Sequence, residues 1–260
     1  MTKNYIFEDH SNDAEYKRLK YLEEACDGSS QKLIEKTFIE KGWSCLEVGA
    51  GGGSILAWLG KKVGKKGLVV GLDKNTQYLN QFNVAPFNIV RGEIKDFKPQ
   101  SSFDLIHARY VFIHNKDAID LISHLAHYLN PKGFLILEEP NFETAQWLDP
   151  MFSGPCNKVN QAMLGMFRSM GLDPSFGEKM EEKIKSLGFK VFFHQELIHK
   201  DKGFSPVAIM MAKSAQALKE KYVATKKAAP ADVDMYIMAA MQPASLAIYY
   251  STHQLIVQKK

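Results

Sequence analysis

The chain has 260 residues, 45% of them hydrophobic, and a formal net charge of +4, so it is long enough to enclose one large core and only mildly basic. The charge comes mainly from lysine, with four arginines in all (Arg18, Arg91, Arg109, Arg168), which argues against nucleic acid as a partner because arginine is the usual bidentate reader of phosphates and bases. Cys26, Cys45 and Cys156 are scattered and form no C-x-x-C pair, which excludes a disulfide framework and a thiolate metal site.

The opening MTKNYIFEDHSNDAEYKRLK carries no apolar h-region, and no run reaches the eighteen or so apolar residues of a membrane span. A cytoplasmic chain is expected. Residues 13–26 place Tyr16, Leu19, Leu22 and Cys26 at helical spacing, and residues 31–40 do the same with Leu33, Ile34, Phe38 and Ile39, predicting two amphipathic helices. Short apolar runs follow at 45–49, 67–73, 88–92, 103–108 and 133–140. They read as buried strands of a parallel sheet covered on both faces. Helical stretches at 54–63, 75–83 and 116–129 lie between them. The alternation predicts a doubly wound α/β domain spanning 1–260, with residues 1–42 as a helical lid.

After Pro140 the pattern changes. One or two helices over 141–172, a helix at 175–187, a strand at KVFFHQELIH, helices near 205–226 and 231–241, and a last strand AIYYSTHQLIVQKK complete a mostly parallel seven-stranded sheet. The segments 141–172 and 203–243 exceed what a minimal α/β unit needs and are expected to form a helical cap or a homodimer surface. Eight methionines, from Met163 to Met241, fall within them. Methionine suits an adaptable binding wall, although core filling is the simpler reading.

At the first strand-to-helix turn stands CLEVGAGGGSILAWLG, residues 45–60. Helix N-terminal N–H groups and the open end of the sheet make such a turn the default ligand site. A dinucleotide fingerprint would continue Gly49, Gly51 with a third glycine, and the chain has Ser54 there. Glu47, two residues before Gly49, suits a cationic or amino-bearing ligand and would repel a phosphate.

LEVGAGGG resembles the first motif of class I S-adenosylmethionine-dependent methyltransferases, and the likeness covers roughly residues 13–140 and resumes in the last strand. It implies a Rossmann-like fold with S-adenosylmethionine as cofactor. It also implies that Glu47, Gly49, Ala50, Gly51 and Gly53 border the cofactor, with Asp73 and its neighbour Lys74 at the ribose. Glu93 and Ile94 match the adenine contacts, and Ala108 and Arg109 the backbone beside the methionine moiety. The segment around Lys17-Arg18-Leu19 resembles a helix that small-molecule methyltransferases carry ahead of the first motif and fold over the cofactor, which makes Tyr5 and Arg18 candidates for its carboxylate end.

Methyl transfer from a sulfonium needs alignment and exclusion of water, with a base only where the acceptor loses a proton. His114, six residues past Ala108, is the first candidate for that base or for shaping the acceptor pocket. His107 reads as a satisfied core histidine, and His124 and His127 as surface residues. Glu138 and Glu139 follow the fifth strand, where one would orient an acceptor or cap the next segment. His107-Ala108-Arg109-Tyr110 replaces the Asn/Asp-Pro-Pro-aromatic motif of base-amine methyltransferases, no Pro-Cys pair is present for attack on a pyrimidine, and the acidic ligands of metal-dependent catechol enzymes are missing. A small organic acceptor and no metal are expected. Two other readings stay open: an NAD(P)-dependent oxidoreductase on a related sheet, and a non-catalytic S-adenosylmethionine-binding protein.

Overall fold

The computed structural model describes residues 6, 7 and 12–259. Helices and strands alternate in the order α1 (Asn12–Glu35), β1 (Ser44–Val48), α2 (Ser54–Val63), β2 (Leu68–Asp73), β3 (Phe87–Arg91), β4 (Phe103–Arg109), α3 (Ala118–Ala126) and β5 (Leu129–Asn141). The chain continues through β6 (Gln146–Trp147), α4 (Pro150–Ser169), α5 (Phe176–Ser186), β7 (Lys190–Lys202), α6 (Pro206–Ala217), α7 (Lys219–Ala224), α8 (Pro230–Ala240) and β8 (Leu246–Gln258).

The strands form one sheet in the order β3-β2-β1-β4-β5-β8-β6, with β7 along the other side of β8. Strands β1 to β5 run parallel, and β8 is antiparallel to β5, β6 and β7. Strand order reverses between β1 and β4, and the crevice beyond their carboxyl ends is where such sheets bind ligands. The apolar runs earn their strand assignment by burial: Cys45, Leu46 and Val48 of β1, and Leu105, Ile106 and Ala108 of β4, are all inaccessible or nearly so. From α2, Ile55, Leu56, Leu59 and Val63 pack on one face of the sheet with Val69 and Ile136. Each such side chain contributes about 1.5–3 kcal/mol relative to exposure.

Four expectations need correction. Residues 12–35 form a single helix, because Ser29 and Ser30 bond back to the Cys26 carbonyl within the helix, and the chain leaves helical geometry near Phe38, which is left-handed at φ 56°. Residues 75–83 form turns, not a helix: Asp73 accepts the Asn75 N–H, and Asn75 accepts that of Gln77. The third helix is shorter than expected, and β5 begins at Leu129, taking in Asn130–Gly133 with Lys132 left-handed at φ 64°. Among the described residues the sheet has eight strands, the added one being the two-residue β6, where buried Trp147 pairs with Ala247. Helices α4, α6, α7 and α8 pack on one another, and α6 also packs on α1.

Gly53 sits at the start of α2 with φ +87°, and an added Cβ would stand 2.5 Å from the Phe82 ring. Its role is packing between the turn and the 75–83 segment. Gly53→Ala is expected to lower stability by about 2–4 kcal/mol, from left-handed strain together with the clash, read as a drop in the denaturant midpoint at unchanged slope.

Candidate active site

A cavity of about 600 Å³ opens at the β1/β4 switch point, walled by the glycine turn, the ends of β2 and β4, α1, and helices α4, α6 and α7. Gly49, Ala50 and Gly51 present their backbone to it. Gly51 has φ +53°, and a Cβ there would meet protein atoms only at 3.7 Å or beyond. The neighbouring side chains leave room for a Cβ, so what glycine supplies here is the left-handed turn and a bare wall.

The turn is held by Asp73 at the end of β2. Its Oδ2 accepts the Gly51 N–H at 2.8 Å and its Oδ1 accepts the Asn75 N–H at 2.8 Å. Burial raises the Asp73 pKa, opposed by these backbone donors and by Lys74. Asp73, Lys74, Glu93 and Ile94 share the cavity wall, and Lys74 reaches Glu93 at 3.7 Å on the rim. A carboxylate that keeps lone pairs to spare, beside bare backbone and an apolar side chain, fits a ribose and an adenine.

Helix α1 closes the other side. Glu23 accepts the Ser54 N–H at 3.3 Å, and Asp27 accepts the Ser54 hydroxyl at 3.0 Å, so two acidic side chains of α1 cap the start of α2. Asp27 also pairs with Arg109 at 3.0 Å, while Arg109 donates to Ser30 at 2.8 Å. Arg18 pairs with Glu15 at 2.7 Å and lies over the Phe7 ring at 4.0 Å, and all three line the cavity. Tyr5 lies outside the described residues.

Glu47 reaches the cavity, but its Oε2 accepts from His107 Nδ1 at 2.7 Å, and the other ring nitrogen donates to Glu138 at 2.9 Å. Burial opposes a charge on His107, yet the charges and hydrogen bonds of Glu47 and Glu138 outweigh it and hold the imidazole pKa up at about 9. Both ring nitrogens therefore donate, as an imidazolium does. His107 is thus the satisfied core histidine expected, and it takes one of the two Glu47 oxygens. Gln254 donates to Glu138 at 2.5 Å. Glu139 accepts the N–H groups of Val111, Phe112 and Ile113 at 2.8–3.0 Å. It fixes the loop that carries His114.

His114 faces the cavity against the Phe167 ring, 6.3 Å between centroids. Burial, with Arg18 and Lys74 nearby, pushes its pKa down to about 3. Phe142, Met163, Met210, Met211 and Tyr222 line the same cavity. Of the sequence candidates, Gly53 and Ala108 are absent from the wall: Gly53 packs on Phe82, and Ala108 is fully buried in the sheet. His124 is half-buried and donates to the Phe97 carbonyl at 2.9 Å, whereas His127 is exposed. The caps Glu23 and Asp27 were missed, since nothing in a single helix shows which neighbour its acids will meet. Among the described residues, no group of His, Cys, Asp and Glu gathers to hold a metal, and no helix is long and apolar enough to cross a membrane.

Residues 18–196 match the family model described as a methyltransferase domain. Among solved structures, the mycolic acid cyclopropane synthase CmaA1, complexed with SAH and CTAB, is 18% identical with a TM-score of 0.58, the match covering 92% of this chain and 85% of that one. The cyclopropane synthase MmaA2 from Mycobacterium tuberculosis is 17% identical with a TM-score of 0.55, covering 87% and 82%. Coclaurine N-methyltransferase, bound to N-methylheliamine and SAH, is 14% identical with a TM-score of 0.55, covering 88% and 69%. No curated protein matches. The chain belongs to the methyltransferase domain family and is a class I S-adenosylmethionine-dependent methyltransferase.

The His107 cluster makes stability depend on pH. Its folded pKa of about 9 lies above the unfolded value of 6.5, so its contribution is complete below pH 6.5 and is lost as pH rises through 9. The unfolding free energy from urea titrations is expected to fall across that window by on the order of 3 kcal/mol in all. His107→Gln should remove the slope.

Proposed function

We infer that the cavity holds S-adenosylmethionine along the glycine turn and transfers its methyl group to a small organic acceptor seated under the helices of 141–172 and 203–243. The observation that carries the reading is the Asp73 carboxylate bonded to the Gly51 N–H on a wall of bare backbone. The bound cofactor supplies an electrophilic methyl on a sulfonium. Asp73 would take the ribose hydroxyls, with Lys74 beside it; Glu93 and Ile94 would meet the adenine. Gly49, Ala50 and Gly51 would leave room for the sulfur-bearing chain. Arg18 and Arg109 stand toward the carboxylate end, one over Phe7 and one tied to Asp27.

The acceptor end is aromatic and thioether in character, lined by Phe142, Phe167, Met163, Met210 and Met211. That lining supports an acceptor with an apolar body. Methionine side chains let one cavity adapt to its shape, and closure by α1 and the cap would exclude water. His114 stays uncharged at neutral pH because its pKa is about 3. Its part would be to bond and orient the acceptor.

Titration calorimetry should show binding of S-adenosylmethionine and none of NAD; the reverse would overturn the reading. Asp73→Ala should weaken cofactor binding by about 1.5–3 kcal/mol, since a charged acceptor is lost. Gly51→Val should abolish it, because a β-branched side chain both covers the bare wall and strains the left-handed turn, while the far-ultraviolet circular dichroism keeps the helix and sheet content. Transfer of labelled methyl from S-adenosylmethionine into a metabolite extract would separate an enzyme from a non-catalytic binding protein.

A further inference from the structure

Behind the acceptor end of the cavity, a row of hydroxyl groups crosses the sheet to its far edge. Tyr110 and Tyr250 line the cavity, with their hydroxyls 3.4 Å apart. The Tyr110 hydroxyl is hydrogen-bonded to Thr252 Oγ1. Thr252 is buried in β8, and its Oγ1 lies 2.7 Å from His199 Nε2. His199 is half-buried on β7, which among the described residues pairs only with β8, so it lies on the edge strand of the sheet.

Both ends of this row rest on irregular backbone. Tyr110 is left-handed at φ 56°, a conformation that a bulky residue holds only where its surroundings impose it. At the other end the β7–β8 register shifts between Ile198 and Lys200. Between those two pairs β7 has one residue, His199, and β8 has two, Tyr249 and Tyr250, so the bulge lies on β8 opposite His199. Leu197 stands opposite Thr252, and His199, two residues further along the same face of β7, is its diagonal neighbour. The His199 ring stacks on Tyr250 with centroids 4.4 Å apart. Tyr110, from the loop after β4, and His199, from the neighbouring strand, thus both reach one threonine hydroxyl.

We propose that Tyr110, Thr252 and His199 form a proton relay that carries the acceptor's hydrogen out of the cavity as methyl transfer occurs, which assigns the acceptor to the O–H or N–H class. The proposal rests on the methyltransferase reading above. The acceptor's heteroatom bonds to the methyl carbon with a lone pair, and the electrons of the broken carbon–sulfur bond stay on sulfur. The acceptor's proton passes to Tyr110 Oη, the Tyr110 proton to Thr252 Oγ1, and the Thr252 proton to His199 Nε2. The imidazolium then gives a proton to water and, by exchange with solvent, keeps its remaining hydrogen on Nδ1, while the two hydroxyls rotate back, so Nε2 can accept again. No tyrosinate forms at any point, in keeping with the burial that raises the Tyr110 pKa well above its ordinary value. Burial likewise lowers the His199 pKa to about 4, against the opposing charges of Glu138 and Asp201, so the ring rests neutral and releases what it receives. Neither Thr252 nor His199 touches the cavity. They act through Tyr110.

The test has two arms. In the whole protein labelled with ¹⁵N-histidine, His199 at pH 7 should be neutral with hydrogen on Nδ1 and Nε2 accepting; Thr252→Val should release it into a mixture of tautomers. Hydrogen on Nε2, or a charged ring, would close the row to a proton and overturn the proposal. In the second arm, Thr252→Val and His199→Gln should bind S-adenosylmethionine within about threefold of the parent while labelled-methyl turnover in extract falls roughly 100-fold, and Thr252→Ser should restore it. Parent-like turnover in Thr252→Val would also overturn the relay. A parent that binds no S-adenosylmethionine would instead overturn the methyltransferase reading, and the tautomer would still decide whether the row can carry a proton.

Discussion

One hydrogen bond organises the site: the Gly51 N–H donated to Asp73 Oδ2 at 2.8 Å. It joins the end of β2 to the turn between β1 and α2, and keeps that turn in the left-handed geometry that bares its backbone. The cavity lies where it does because β1 and β4 part company at the reversal of strand order, but its wall is thin there only because the turn is fixed. A carboxylate partly buried and bonded by backbone donors is both a structural tie and a ready acceptor for a ligand's hydroxyls. The same residue serves fold and site.

The second constraint is the crowd of charges packed beneath the turn. Glu47, His107 and Glu138 place an imidazolium between two carboxylates in the interior, and Arg109, Asp27 and Ser30 tie α1 to the end of β4. Buried ions are costly unless each is paired and hydrogen-bonded. Here the pairs run continuously from α1 through β1 and β4 to β5 and β8. Helix α1 is held over the cavity by specific bonds, including the Glu23 and Asp27 caps on α2, in addition to its apolar face.

The parallel strands were legible in the sequence because strands buried on both faces must be continuously apolar, and the glycine turn because few residues tolerate its backbone. The 75–83 segment misled because Leu79 and Phe82 have helical spacing while the local bonds of Asp73 and Asn75 impose turns. Residues 13–26 and 31–40 read as two helices, yet the stretch between them stays helical, with the Ser29 and Ser30 hydroxyls bonded back to the Cys26 carbonyl. At the site, Asp73, Lys74, Glu93, Ile94 and His114 were readable from their place after strands, and all border the cavity. What could not be read was pairing at long range. Glu138 meets Gln254, and Tyr110 meets Thr252 across 142 positions of sequence, because β8 inserts beside β5, and no single-strand pattern announces its neighbour. The bulge opposite His199 is similarly silent, since it depends on the partner strand.

These elements converge on one account: a tied glycine turn opens room for an adenosyl sulfonium, and an aromatic and methionine chamber holds the acceptor beside it. The most direct measurement is a crystal structure with S-adenosylhomocysteine bound. The account predicts its ribose on Asp73, its adenine against Ile94 and its sulfur pointing toward His114 and Tyr110. Electron density for the compound elsewhere on the protein, with the space between Gly51 and Asp73 filled by the protein's own side chains, would contradict it.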